Sequence, residues 1–196
     1  FAKLKRDISG RLAHGAIDRV SVHMEGAAAE LNPKPLTSAV LKGFLGTQTD
    51  TVNMVNAPLL ARERGMEVRE IRTEREGDYH TLLRVSVRTA DGERSVAGTL
   101  FGDQAARLVE LFGIKVEADL TGAMLYVVNE DAPGFIGRLG TTLGEAGVNI
   151  GTFHLGRRQA GGEAVLLLSV DQPVTAELLA AVKALPGVKT AMGLRF

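Results

Sequence analysis

From Ala123 onward the hydrophobic pattern switches between strand and helix periods four times, and this alternation constrains the fold more than any other feature. Ala123 to Val128 is a continuous apolar run of strand length, followed by the polar stretch Asn129-Glu130-Asp131-Ala132-Pro133-Gly134. Phe135, Ile136, Leu139, Leu143 and Ala146 then recur at helical spacing, and Gly147 supplies a left-handed stop. Val148 to Leu155 is strand-like, Arg157 to Gly162 is a turn tipped by Gly161-Gly162, and Glu163 to Val170 is β-rich. Thr175 caps a helix carrying Leu178, Leu179, Val182 and Leu185, which Pro186-Gly187 ends before a last strand over Val188 to Leu194. The order βαββαβ in about 75 residues is the ferredoxin-like arrangement, two helices on one face of a four-stranded antiparallel sheet.

The polar residues of this unit gather where strands meet helix. Asp131 stands at an expected helix N-cap, and Pro133 falls in the first turn, where its missing N–H costs nothing. The open end of the helix, with Gly134, presents N–H donors to a carboxylate while Asp131 takes an ammonium, a pattern suited to a free amino acid. The plainer reading is local: Asp131 only caps, and Asn129 and Asn149 only satisfy strand-end backbone groups. The two roles are compatible, because a cap uses part of a carboxylate's acceptor capacity.

Residues up to about 120 read as a separate α+β unit. Arg19 to Glu25 is a candidate strand, Asn32-Pro33-Lys34-Pro35 a turn, and Thr37 the start of a helix bearing Val40, Leu41, Phe44 and Leu45. A second helix is expected from Thr51 to Arg64, kinked by Pro58. Three strands follow, Met66 to Arg72, Tyr79 to Thr89 and Glu93 to Phe101, with Asp91-Gly92 as a hairpin signal. Arg107 to Ile114 is one further strand, before a linker over Glu117 to Gly122. The domain plan is therefore 1–18, the end of a helix (Leu4, Ile8, Leu12) entered partway; 19–119, a mixed α/β domain; and 120–196, the βαββαβ domain. Beginning with Phe1 and not Met, the chain reads as a segment of something longer.

Composition excludes several classes. Residues 1–120 hold 17 Lys+Arg against 17 Asp+Glu and residues 121–196 hold 6 against 6, with two Tyr, seven Phe and no Trp, so neither module offers a nucleic acid a basic face or stacking platforms. No apolar run approaches the ~20 residues of a membrane span, and cysteine is absent, which makes a cytoplasmic address the default. His14, His23, His80 and His154 have no metal-ligand spacing, and nothing marks a nucleophile. No catalytic residue is expected.

Two features admit a second reading. Gly134, Gly137, Gly140 and Gly144 follow a strand, but as G-x-x-G-x-x-G, and the unit continues into a hairpin where a dinucleotide site needs a parallel crossover. The alternative is a small-residue ridge for close packing on the sheet or on a partner helix. Arg84, Ser86 and Arg88 alternate onto one strand face while Leu83, Val85 and Val87 take the other. They form a solvated face or, with Arg107, a pocket for a phosphate or carboxylate anion.

Asn129 to Gly137 with Gly147 to Ile150 resembles an ACT domain, the amino-acid sensor attached to many biosynthetic enzymes. The run Val52-Asn53-Met54-Val55-Asn56-Ala57-Pro58-Leu59-Leu60 through Gly65, with Val96-Ala97-Gly98-Thr99-Leu100-Phe101-Gly102, resembles the long-form D-3-phosphoglycerate dehydrogenases. Those enzymes place an intervening allosteric substrate-binding domain before a C-terminal ACT domain. The resemblance implies that the NAD-binding catalytic part, which oxidises 3-phosphoglycerate to 3-phosphohydroxypyruvate for serine synthesis, lies upstream. It implies that this segment is non-catalytic and senses L-serine where ACT domains pair in a homo-oligomer. Asp131 and its loop, with Asn129, Pro133 and Gly134, would hold serine from one subunit, and Asn149 would reach across from the other. Family members carry His or Tyr where Asn129 stands. The anion site of the intervening domain maps to Arg107 and approximately to Lys115, beside Arg84 and Arg88, although Glu117 and Asp119 stand where further basic groups belong. Two other readings compete: the regulatory half of an L-serine dehydratase, and a dimerisation piece without a ligand.

Overall fold

The computed structural model describes residues 16–46, 49, 51–74, 77–102 and 105–196. The helix expected over Leu4, Ile8 and Leu12 lies outside them, as does His14. The chain divides into two compact units, Phe1–Phe112 and Gly113–Phe196.

In the first unit, β1 (Ile17–Gly26) leads through a short 3-10 turn into α1 (Pro33–Leu45) and α2 (Ala57–Glu63), then β2 (Glu67–Thr73), β3 (Thr81–Thr89), β4 (Gly92–Phe101) and β5 (Ala105–Leu111). The strands run in the order β2-β1-β3-β4-β5. The crossover through the two helices makes β1 and β2 parallel, and the remaining pairs are antiparallel. Val20, Val22 and Met24 of β1 and Val85 and Val87 of β3 are buried, so one face of this sheet is core. The β3–β4 hairpin closes with Thr89 opposite Gly92.

Three expectations for this unit are corrected. The first helix begins at Pro33, not Thr37, because Asn32 Oδ1 accepts the Lys34 N–H at 3.1 Å and Pro33 is set for the first helical position. The second helix occupies only Ala57–Glu63, so Pro58 sits in its first turn and kinks nothing. The residues before it are held in a turn by side chains: Asn53 Oδ1 accepts from the N–H of Val55 and Asn56, and Asn56 Oδ1 accepts from the Asn53 N–H. The strand expected over Arg107 to Ile114 is two strands, β5 and β6 (Ile114–Asp119), because Phe112 and Gly113 both take positive φ, 54° and 75°. The boundary between the two compact units falls at Phe112–Gly113, between these two strands.

The second unit continues with β7 (Ala123–Glu130), α3 (Phe135–Glu145), β8 (Ile150–Arg157), β9 (Glu163–Val170), α4 (Ala176–Lys183) and β10 (Val188–Arg195), which is the expected βαββαβ order. The sheet order is β10-β7-β9-β8, antiparallel throughout. Leu125, Val127, Leu166 and Leu168 meet Phe135, Leu139 and Leu143 of α3 and Leu178 and Val182 of α4 in one core. Burying such side chains stabilises by about 1.5–3 kcal/mol each. Thr175 caps α4, its Oγ1 accepting from the Leu178 N–H at 3.2 Å, and Gly147 ends α3 with φ 69°. Ile136, counted on the apolar stripe of α3, is instead 52% exposed. Apart from chain neighbours and the helix's own backbone, no described atom lies within 4 Å of a Cβ built on Gly137, Gly140 or Gly144, so this ridge does not pack on the chain's own sheet.

Gly156 marks a close approach within this unit: an added Cβ would meet the Lys115 carbonyl oxygen at 2.2 Å and Ile114 Cγ2 at 2.8 Å. Gly156→Ala is expected to cost about 1–3 kcal/mol through overpacking. Leu139→Ala, which opens a void in the core, is expected to cost about 2–5 kcal/mol. Urea unfolding of the chain measures both, and an unchanged midpoint for either would contradict the packing described.

Candidate functional site

β7 delivers three polar residues to one end of the sheet. By strand alternation Asn129 shares the face of Leu125 and Val127, under the helices, and is only 2% exposed. Its Nδ2 donates to the Glu130 carbonyl at 2.6 Å, while its Oδ1 is buried without a partner. An unmet buried acceptor costs about 1–3 kcal/mol, so this atom is either a local liability or a group kept for a ligand.

Asp131 lies one residue beyond the strand and is tied to the β8–β9 hairpin by three bonds. Its N–H donates to the Gly162 carbonyl at 2.8 Å. Its Oδ2 accepts from Arg157 Nη1 at 2.6 Å and from the Gly161 N–H at 3.1 Å. The Arg157 bond and then the Gly161 N–H hold the carboxyl below the usual aspartate range. The expected capping role is therefore corrected. Helix α3 starts at Phe135 behind Gly134, which takes φ 81°, and no side chain caps it. The glycine permits a sharp entry that turns Asp131 away from the helix start and toward the hairpin. Pro133 and Gly134 form the exposed corner of this turn. An added Cβ at Gly134 would meet Arg138 Nη1 at 3.0 Å, so a guanidinium lies over the helix entrance.

Asn149 lies elsewhere in the same chain. It precedes β8, its N–H donating to Gln172 Oε1 at 2.8 Å and its Nδ2 to Asp171 Oδ2 at 2.7 Å. On β9, Val170 is the cross-strand partner of Ile150, whereas Ala164 is the partner of both Asn129 and Arg157. Asn149 and Asp131 are thus at opposite ends of the sheet, on the order of 20 Å apart. Arg157, Gly161 and Gly162 are the site residues the sequence reading missed. The signal was available in part: an Arg at the end of the second strand of a βαββαβ unit falls at the same sheet end as the first strand's last residues.

In the first unit, Arg84 pairs with Glu110, whose Oε1 also accepts from Ser95 Oγ at 3.1 Å. Arg88 is cross-strand from Arg19 and Glu93, about 13 Å along β3 from Arg84. The Arg107 guanidinium lies 5.5 Å from the Phe101 ring centroid, a cation–π contact. Lys115 is on β6, in the second unit. Among the described residues, no three His, Cys, Asp or Glu side chains are placed to hold a metal ion, and no helix is long and apolar enough to cross a membrane.

Comparison with known proteins matches residues 5–112 to the D-3-phosphoglycerate dehydrogenase intervening domain and residues 123–187 to the ACT domain. The chain is 34% identical over 184 residues to the D-3-phosphoglycerate dehydrogenase of a Synechocystis species, covering 93% of this chain and 33% of that protein. It is 34% identical over 182 residues to the Bacillus subtilis enzyme of that name, covering 88% and 35%. The Archaeoglobus fulgidus enzyme is 35% identical over 189 residues, covering 95% and 36%. The chain spans about a third of the length of these relatives.

The lowered Asp131 carboxyl has a consequence for stability. A group depressed in the folded state contributes stability above its unfolded pKa, about 3.9, and loses it as pH falls through the folded value. The melting temperature of the chain should therefore exceed that of Asp131→Asn by a constant margin from neutrality down to about pH 4, with the margin closing below that. A margin that ignores pH would mean the Arg157 bond is absent in solution.

Proposed function

The chain belongs to the D-3-phosphoglycerate dehydrogenase intervening-domain family, with an ACT domain following, and from that premise we propose that it senses L-serine for an NAD-dependent dehydrogenase. In this reading it is a regulatory and oligomerisation segment without catalysis of its own. NAD and the oxidation of 3-phosphoglycerate belong to a part of the cytoplasmic parent enzyme that this chain does not span. The observation that carries the serine reading is the cluster at the end of β7: the ionised Asp131, the uncapped start of α3 and the buried, unpaired Oδ1 of Asn129. An amino acid offers an ammonium for the carboxylate and a carboxylate for the helix donors.

The separation of Asp131 from Asn149 supports a site shared between subunits. β8 is an edge strand, and Phe153 and Leu155 on it and Ile136 beside the glycine ridge are exposed. Two copies paired antiparallel along β8 about its centre bring Asn149 of one opposite the Arg157 end of the other, and so beside its Asp131. Serine acts on a distant reaction by binding one arrangement of the pair better than another. A dimerisation piece without a ligand is the competing reading, favoured by the engagement of Asp131 with Arg157. The anion reading of Arg84, Arg88, Arg107 and Lys115 stays subsidiary, because Glu110 already neutralises Arg84.

L-Serine at 100 times its dissociation constant is expected to stabilise the chain by about 2.7 kcal/mol, read as a rise in melting temperature that D-serine and alanine do not match. Asp131→Ala is expected to fold and to lose the rise. Equal responses to all three amino acids would reject a serine sensor and favour the ligand-free module.

A further inference from the structure

We propose that Arg157 is the specificity residue of this site, holding Asp131 in the unliganded chain and passing to the effector's α-carboxylate when the effector's ammonium takes its place. The inference rests on the amino-acid-sensor reading above and deepens it.

Three observations point this way. Both donors to Asp131, Arg157 Nη1 and the Gly161 N–H, converge on Oδ2, and among the described residues nothing else bonds to Oδ1. The carboxylate therefore has open acceptor positions, and the Gly161 bond keeps it aimed after Arg157 leaves. Arg157 spends one of its five donors on Asp131, and its side chain is 51% exposed. Its planar fork can swing to a new partner and grip a carboxylate through two parallel bonds. Charge also balances. The resting site is a closed carboxylate–guanidinium pair, and a zwitterion inserted between the two turns one pair into two. An amine without a carboxylate, or an acid without an ammonium, leaves one partner of the broken pair unmatched.

The exchange has a structural reach that a surface contact alone would lack. Arg157 is the last residue of β8, the edge strand, and the hairpin that follows returns Gly161 and Gly162 to Asp131. Moving the guanidinium from a side chain of its own chain to a ligand changes what anchors that end of the edge. A second cation, Arg138, lies over the helix entrance and is the natural rival for the carboxylate.

The test is isothermal calorimetry on the chain and on Arg157→Gln, Arg157→Lys and Arg138→Gln, each titrated with L-serine and with L-serinamide, which keeps the ammonium and lacks the carboxylate. The wild-type chain is expected to prefer L-serine by about tenfold or more. Arg157→Gln is expected to bring the two ligands within about twofold, chiefly by weakening L-serine, Arg157→Lys to restore part of the preference, and Arg138→Gln to keep it. A structural role for Arg157 would weaken both ligands alike, so an undiminished preference in Arg157→Gln overturns the inference. Loss of the preference in Arg138→Gln assigns the carboxylate to that residue and overturns it too. Both results leave the sensor reading standing, whereas a wild-type chain that binds neither ligand removes both.

Discussion

In the second unit β7 and β8 run parallel to each other with β9 antiparallel between them, and the placement of every candidate ligand group follows from that register. The C-terminal ends of β7 and β8 come to the same edge of the sheet, where the β8–β9 hairpin turns back over them. Asp131 leaves β7 there, Arg157 closes β8 there, and Gly161 and Gly162 bring backbone groups to the same carboxylate. The same register sends Asn149 to the far edge, where Gln172 and Asp171 hold it. In the proposed reading each copy supplies half of a site at each end of its sheet, and symmetry between copies joins the halves.

Packing explains why the loop can be polar and yet defined. The core beneath α3 and α4 is built of Leu, Val and Phe with little polar surface, and it fixes the helix that the Asp131 loop must enter. The entry is made by a glycine in a left-handed conformation and not by a capping side chain. A capping carboxylate would be committed to the helix; here the carboxylate is directed toward a guanidinium that half faces water. The Oδ1 of Asn129 is, among the described residues, the one buried side-chain polar atom without a hydrogen-bond partner. Unsatisfied groups of this kind concentrate where a fold gives up stability for binding.

Most of the second unit was legible because periodicity, caps and stops agreed: Thr175, Gly147 and the apolar runs each fall where the elements begin or end. The first unit was less legible where side chains replace backbone patterns. Asn53 and Asn56 hold a turn that reads as helix by its apolar spacing, and Asn32 starts a helix at a proline that reads as a turn. The Phe112-Gly113 turn is hidden in the sequence because a non-glycine residue supplies one of its positive φ angles. At the site, sequence gave the residue types but not their partners. Asp131 is followed by Pro133 and then a helix, which matches an N-cap locally, and only the tertiary return of the hairpin gives it to Arg157 instead. Arg84 is a second case: alternation puts it on the polar face, but its pairing with Glu110 reaches across the intervening strand β4 and is invisible to spacing.

The contrast between these two arginines separates a structural ion pair from one suited to exchange. Arg84 and Glu110 are both mostly buried, and Ser95 adds a further bond to the carboxylate, so removing either charge strands the other in a poorly solvated place. Arg157 and Asp131 are unequal: the carboxylate is largely enclosed and held by a backbone donor, while the guanidinium is half in water. Releasing the guanidinium costs little because water can solvate it, while the less exposed carboxylate is left with the Gly161 N–H and calls for a further donor. A small cation with its own hydrogen-bond donors meets that demand, and an ammonium does so without needing the length of a side chain. The unequal exposure across this ion pair supports the exchange proposed for the end of β7, whereas the pair in the first unit is enclosed on both sides and neutralises a sheet face.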